Sequence, residues 1–275
     1  YCNTIEIENS TIFEEECKLF QLKHPVVTNV HINTTNMNTV EQFIDTYINT
    51  TASFTLSGFH TNCGDLEVEL PDWSDDKIST WKGGVIPTST PAIASSVSNV
   101  SNAASDSDSN GLYRGMKFLK IVNIPGLKST TGTKFQYWRN FKCTNTNSNS
   151  NSNTKGETTS DSESLIGFIM YSSTITYDVP YATSFSVDES FIVKRLGEHE
   201  GISLSIHIEV KWTKSCMLKY VIDGSSVSET TRFLQDYVEG IRKVSIYVYV
   251  YIYLCLYIDR TMRKLMYIEV CGIIC

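Results

Sequence analysis

From Ile202 to Thr213 the chain alternates without a break. Ile202, Leu204, Ile206, Ile208, Val210 and Trp212 hold every second position, and Ser203, Ser205, His207, Glu209, Lys211 and Thr213 fill the gaps. Successive side chains of a strand point to opposite faces, so this is one long strand with an apolar and a polar face. Such a strand fits an antiparallel sheet with one face covered and one in water. On the polar face, a solvated or core-edge place for His207 is preferred to a catalytic one.

The next segment reads as an amphipathic helix. Val227, Thr231, Leu234, Val238 and Ile241 recur at spacings of three and four, and Phe233 and Tyr237 widen the stripe. Ser226 with Glu229 predicts a capping box at its start, and Arg242 and Lys243 at its end suit the helix dipole. Asp223 before Gly224 reads as a turn. A half-apolar strand followed by a half-apolar helix predicts a helix laid over the sheet, with an apolar hollow between them able to hold a small ligand.

Upstream the chain reads as more of the same sheet. Val26–Ile32 is a first strand, and Val40, Phe43, Ile44, Tyr47 and Ile48 have the spacing of a short helix. Leu66, Val68 and Leu70 alternate with Glu67 and Glu69 up to Pro71, which predicts a strand. Strand character returns over residues 112–122, 133–143 and 165–176, with a turn at Asn123–Lys128. Residues 1–25 are a lead-in, either a short helix or the frayed remnant of an upstream region. Residue 1 is Tyr, which suggests a fragment of something longer.

Two polar inserts interrupt the pattern. Residues 83–110, rich in Ser, Thr, Ala, Asn and Asp, are too poor in apolar surface to order themselves and are expected to be disordered. Residues 144–163 contain TNTNSNSNSNT and are expected to be a floppy hairpin loop. The tail, 244–275, begins with Tyr at 247, 249, 251 and 253. Its uncharged run is short of the ~20 residues that span a bilayer as a helix. Three readings stand: a truncated or misread membrane anchor, an extra strand, or translated repeat DNA from a wrong gene-model boundary, which the Tyr-Val repeat favours.

The 275 residues carry a net charge of −7, so no broad attraction to nucleic acid or anionic membrane follows, only a local basic patch being open, and no nucleic-acid partner is expected. Lys211, Lys214 and Lys219 form a loose basic cluster, read as a solvated face or a membrane-facing patch. The eight cysteines lack CxxC spacing, which predicts reduced, buried thiols and no zinc site. No GxSxG, HExxH, P-loop or GxGxxG occurs. His60 near Cys63 has no evident third ligand and reads as coincidence in a turn. His199, between Glu198 and Glu200, reads as a solvated loop. No acid–base pair stands out, so no catalytic residue, cofactor or metal is expected.

Asp178-Val179-Pro180-Tyr181, followed by Phe185, resembles the DVPYG…F signature of the VASt family. Val210-Lys211-Trp212-Thr213-Lys214 resembles the family's V-x-[FYW]-x-K strand end, with Ile222-Asp223 as counterpart of an I-E-like pair. Upstream, Arg114, Phe118 and Pro125-Gly126-Leu127-Lys128-Ser129-Thr130 are similar to its R-x-x-x-[YF]…G-P-K-x-T segment. Two departures are plain: the Gly-Pro order is inverted, and Ala182 stands where the family has Gly. The resemblance covers residues 26–243.

This resemblance implies an α+β, helix-grip (StART-like) fold: a curved antiparallel sheet wrapped around a long C-terminal helix. It implies a non-enzymatic carrier of sterol or phospholipid, sterol first, at membrane contact sites on the cytosolic face of the endoplasmic reticulum. Its partners would be the lipid and a membrane surface. The cavity would lie between sheet and helix, lined by Leu234 and Val238. The loop carrying Pro125, Gly126, Leu127 and Lys128 would be its lid, and Pro180 and Tyr181 would fix a strand entry or touch ligand. A protein-interaction or regulatory module with a filled core is the alternative, and bulky Phe135, Trp138 and Trp212 in the interior would favour it.

Overall fold

The structure is a computed structural model that describes residues 3–32, 39–49, 56–75, 111–124, 127–145, 162–178, 181–197 and 200–243. The insert at 83–110, most of the one at 144–163, His199 and the tail lie outside the described residues.

Seven antiparallel strands form one sheet: β1 (His24–Ile32), β2 (Leu66–Glu69), β3 (Leu112–Ile124), β4 (Leu127–Asn145), β5 (Ser162–Thr176), β6 (Phe185–Arg195) and β7 (Ile202–Trp212). Their order is β1-β7-β6-β5-β4-β3-β2. Strands β2 to β7 follow one another as a meander, and β1 closes the far edge against β7. The chain must therefore cross the whole sheet between β1 and β2. Helix α2 (Val40–Phe43), a π-helical turn (Ile44–Ile48) and helix α3 (Leu56–Asn62) make this crossing. Thr39 caps α2: its Oγ1 accepts from Gln42 N, and Gln42 Oε1 accepts from Thr39 N, each at 3.2 Å. The five apolar residues with helical spacing, Val40, Phe43, Ile44, Tyr47 and Ile48, are all buried in the core.

Helix α4 spans 219–243 and lies over the same inner face of the sheet. Leu234, Tyr237, Val238 and Ile241 pack there against Phe168, Met170, Phe191, Val193 and the apolar positions of β7. The helix starts well before Ser226, so the expected capping box and the turn at Asp223–Gly224 do not occur. A tertiary contact sets the start instead: Trp212 Nε1, at the end of β7, donates to Asp223 Oδ1 at 2.6 Å. Glu229 pairs with Lys120 on β3 rather than with its own helix end.

The outer face is not in water, contrary to the reading from alternation. Ser203, Ser205 and His207 are 5%, 9% and 7% exposed. Asn29, in the left-handed conformation (φ 49°) where β1 shifts register against β7, supplies polar partners for the two serines, while His207 Nδ1 has none among the described residues. Its N–H donates to Ser205 Oγ at 2.9 Å, and its Oδ1 accepts from both serines. Further along this face lies helix α1 (Asn3–Leu19), so the lead-in is a docked helix. Phe13, Cys17 and Phe20 form a stripe against Phe135, Tyr137, Phe141, Ile169, Tyr171 and Ile192. Gly167 makes room for it: a Cβ there would sit 2.2 Å from the Phe13 ring. Ion pairs Glu16–Arg139 and Glu14–Lys194 flank the stripe. Burial pushes the Cys17 thiol up to about 12, so it is inert at neutral pH.

If α1 is part of the packed unit, Phe13→Ala costs roughly 3–5 kcal/mol, while Ile12→Ala, at an exposed position, stays within about 0.5 kcal/mol. Urea denaturation of both variants checks this. Equal, small effects would mean that α1 only rests on the sheet.

A polar belt across the inner face

Strand register carries polar residues into line beneath α4. Arg114 lies opposite Gln136, Gln136 opposite Ser172, and Ser172 opposite Glu189. All four share the face of Trp138, Met170 and Phe191, because side chains two apart on a strand point the same way. The next row runs Met116, Lys134, Thr174, Val187 and Val210. Arg114, Gln136 and Ser172 are fully buried, and Lys134 and Glu189 nearly so.

Most of the belt is internally paired. Arg114 Nε donates to Gln136 Oε1 at 2.6 Å, and Gln136 Nε2 donates to Ser172 Oγ at 3.2 Å. The Arg114 guanidinium lies 4.0 Å over the Trp73 ring, a cation–π contact. Lys134 Nζ sits 2.9 Å from Glu189 Oε2. On α3, His60 Nδ1 sits 2.6 Å from Asp65 Oδ2, with the ring against Phe118 and Phe233. Asp65 thus orients the imidazole with its proton on Nδ1 and leaves Nε2 as an acceptor.

Four buried atoms on this side have no hydrogen-bond partner among the described residues: Arg114 Nη2, His60 Nε2, Thr174 Oγ1 and Trp73 Nε1. The set holds donors, an acceptor and a hydroxyl, so one oxygen-bearing ligand group can satisfy members of either kind. Burial pulls Arg114 down to about 9, opposed by Tyr237 and Asp72, which leaves it cationic at neutral pH.

Packing differs between the two ends of the interior. Leu234, Tyr237, Val238 and Ile241 of α4 are 0–3% exposed. Ile222, Ser226, Val227, Thr230 and Thr231, in its first half, are only half-buried. So are the facing sheet positions Thr174, Val187, Val210, Phe185 and Trp212. The interior is tightly filled under the end of α4 and loosely covered under its start.

The residues expected at the site are dispersed by this geometry. Leu234 and Val238 are buried at the filled end. Lys128 is exposed, and Leu127 opens β4, paired with Ile124 of β3. Tyr181 is exposed, with a left-handed backbone (φ 65°), just before a single helical turn, Ala182–Ser184. Pro125, Gly126 and Pro180 lie outside the described residues. Cys63 is exposed and does not join His60. Lys211 leaves the basic cluster, since its Nζ pairs with Asp188 at 2.9 Å on the outer face.

The belt itself escaped the sequence reading. Its signal was present: Lys134, Gln136, Ser172, Thr174 and Glu189 interrupt apolar strands. Only the register shows that they meet on one face.

Removing either partner of the Lys134–Glu189 pair leaves a buried charge, so Lys134→Met and Glu189→Leu each cost about 3–5 kcal/mol. The double variant recovers most of it, and purely additive losses in chemical denaturation would contradict a coupled pair. Burial also holds His60 and His207 below the ordinary imidazole range. The folded chain keeps them neutral where the unfolded chain, titrating near about 6.5, takes up protons. Stability is therefore full above that value and falls as pH drops through it. Tm should fall between about pH 7.5 and about pH 5.5, and His207→Asn should flatten the slope. A pH-independent Tm would contradict the assignment.

Among the described residues no group of three or more His, Cys, Asp or Glu side chains is placed to hold a metal ion. A search of curated proteins gives no match. The family model described as the VAD1 Analog of StAR-related lipid transfer domain, VASt, matches residues 30–229. That span runs from within β1 to the middle of α4, and takes in the whole polar belt. The chain belongs to the VASt family of StAR-related, lipid-transfer-like domains.

Proposed function

We propose that this chain carries a lipid, a sterol first, in the interior between the sheet and α4, and passes it between membranes without chemistry upon it. The place proposed is the cytosolic face of endoplasmic reticulum contact sites, by resemblance to the family. The observation that supports carriage is the set of four unpaired buried atoms in and beside the polar belt of the inner face. Each such atom costs roughly 1–3 kcal/mol while unpaired. A ligand that brings one oxygen group on an apolar body relieves part of that cost and covers the half-buried positions around it.

A single hydroxyl suits the belt because Trp138, Met170 and Phe191 flank it on one side, and Val187 and Val210 continue the row of Lys134 and Thr174 on the other. A phospholipid is the second ligand class. It is favoured by Arg114, for which the described residues provide no carboxylate within ion-pair distance. Of the three bulky residues named for the filled-core alternative, Phe135 faces the outer side and Trp212 is half-buried, and Trp138 lies in the inner core among Phe43, Tyr47, Phe168 and Tyr237.

Titration with a fluorescent sterol tests the reading. Saturable binding is expected, with Thr174→Val weakening it by up to about tenfold, the worth of one neutral hydrogen bond. Absence of binding to sterol and phospholipid alike, by a chain that melts cooperatively, would favour the interaction module instead.

A further inference from the structure

The loosely covered end of the interior carries a second, separate feature. Ten large hydrophobic side chains are exposed among the described residues, and six of them lie at this one end. Met217, Leu218, Tyr220 and Val221 are 99%, 49%, 91% and 65% exposed, in the link from β7 into α4. Ile121, near the β3–β4 hairpin tip, and Tyr181, before β6, are 61% and 45% exposed. The register places them together: the hairpin tip, the start of β6 and the end of β7 share one end of the sheet.

Monomeric proteins rarely leave such a patch open without a partner. Four large apolar side chains in five residues, each about half exposed or more, are costly in water. The charge around them says what covers them. Between Glu209 and Asp223 the only charged residues are Lys211, Lys214 and Lys219. Lys211 turns to Asp188 on the outer face. Lys214 is exposed, and Lys219 lies 4.7 Å over the Trp212 ring, sharing Asp223 at 3.4 Å. Lys128, also exposed, adds a cation by the hairpin tip. The acids at this end are Asp223 and Glu229, each held by a lysine, and exposed Asp178. An apolar, tyrosine-bearing patch rimmed by lysine matches the boundary between lipid headgroups and acyl chains.

We propose that Met217, Leu218, Tyr220 and Val221 form a membrane-docking surface, which inserts into the headgroup layer of an anionic bilayer with Lys214 and Lys219 on its phosphates. Docking there sets the first turns of α4, and the loosely covered interior beneath them, against the membrane. The surface rests on the carrier reading for its purpose but not for its existence.

The test uses the full chain and vesicles of phosphatidylcholine, alone or mixed with phosphatidylserine, in a sedimentation assay. The double variant Met217→Ser/Tyr220→Ser is expected to lose at least about tenfold in affinity for the mixed vesicles. Its melting temperature and its sterol titration in solution should be unchanged, because both side chains are already in water. Leu112→Ser, exposed at the opposite end, should bind like the parent. Parent-like vesicle binding by the double variant overturns the proposal, as does the absence of binding by the parent itself. Equal binding to neutral vesicles overturns the anionic partner. Vesicle binding without any sterol binding leaves this surface standing and removes the carrier reading instead.

Discussion

Two tyrosines lock one end of the interior. Tyr47, on the π-helical turn, donates to the carbonyl of Ile241 at 3.2 Å, and Tyr237 of α4 donates back to the carbonyl of Tyr47 at 3.1 Å. Both side chains are essentially inaccessible to solvent, so each bond satisfies a hydroxyl that burial would otherwise penalise. The lock ties the last turns of α4 to the segment that crosses the sheet. The first turns of α4 have no such anchor. Partly exposed polar contacts hold them, Trp212–Asp223 and Lys120–Glu229, over half-buried side chains. The exposed Lys120–Glu229 pair contributes little net stability, which leaves Trp212–Asp223 as the stronger of the two. Opening at the start of the helix is therefore the low-cost motion, while the locked end stays closed.

That asymmetry depends on a sheet that does not itself give way. The outer face is nailed down by α1 and by Asp188. This buried carboxylate accepts from Ser173 at 2.7 Å and Ser186 at 2.9 Å, bonds Tyr171, and pairs with Lys211. Ser190 reaches past it to the carbonyl of Phe20 at the end of α1. Apart from His207 Nδ1, which has no partner among the described residues, the buried polar side chains of this face are bonded, and they tie the strands to one another and to α1. Among the described residues, four of the five unpartnered buried side-chain atoms lie on the inner side and one, His207 Nδ1, on the outer, so the imbalance favours the inner face as the receptive one.

Much of the fold could be read from local pattern. The alternation of β7, the apolar spacing of Val40 to Ile48 and the stripe from Val227 to Ile241 each depend on one element's period, and each stands in the structure. What failed required knowledge of a neighbour. The wet outer face was inferred from serines at 203 and 205, but Asn29, far away in sequence, buries and bonds them. The start of α4 was placed at Ser226 by a local capping rule, and Trp212 overrides it. Helix α1 offers only Phe13, Cys17 and Phe20 as a stripe, too sparse to distinguish from a frayed lead-in. The polar belt is the same case: Lys134 and Glu189 are 55 residues apart, and only strand register brings them within 2.9 Å. The motif resemblance named the family and, of the interior side chains, Leu234 and Val238, but not the belt.

The most direct test of the account is photo-crosslinking with a sterol that carries a photoreactive group, followed by mapping of the labelled residues. The account predicts adducts on the inner face beneath the first half of α4, at positions such as Thr174, Val187, Val210 and Val227, and their loss on competition with unlabelled sterol. Adducts confined to exposed surface, or labelling that unlabelled sterol does not displace, would contradict it.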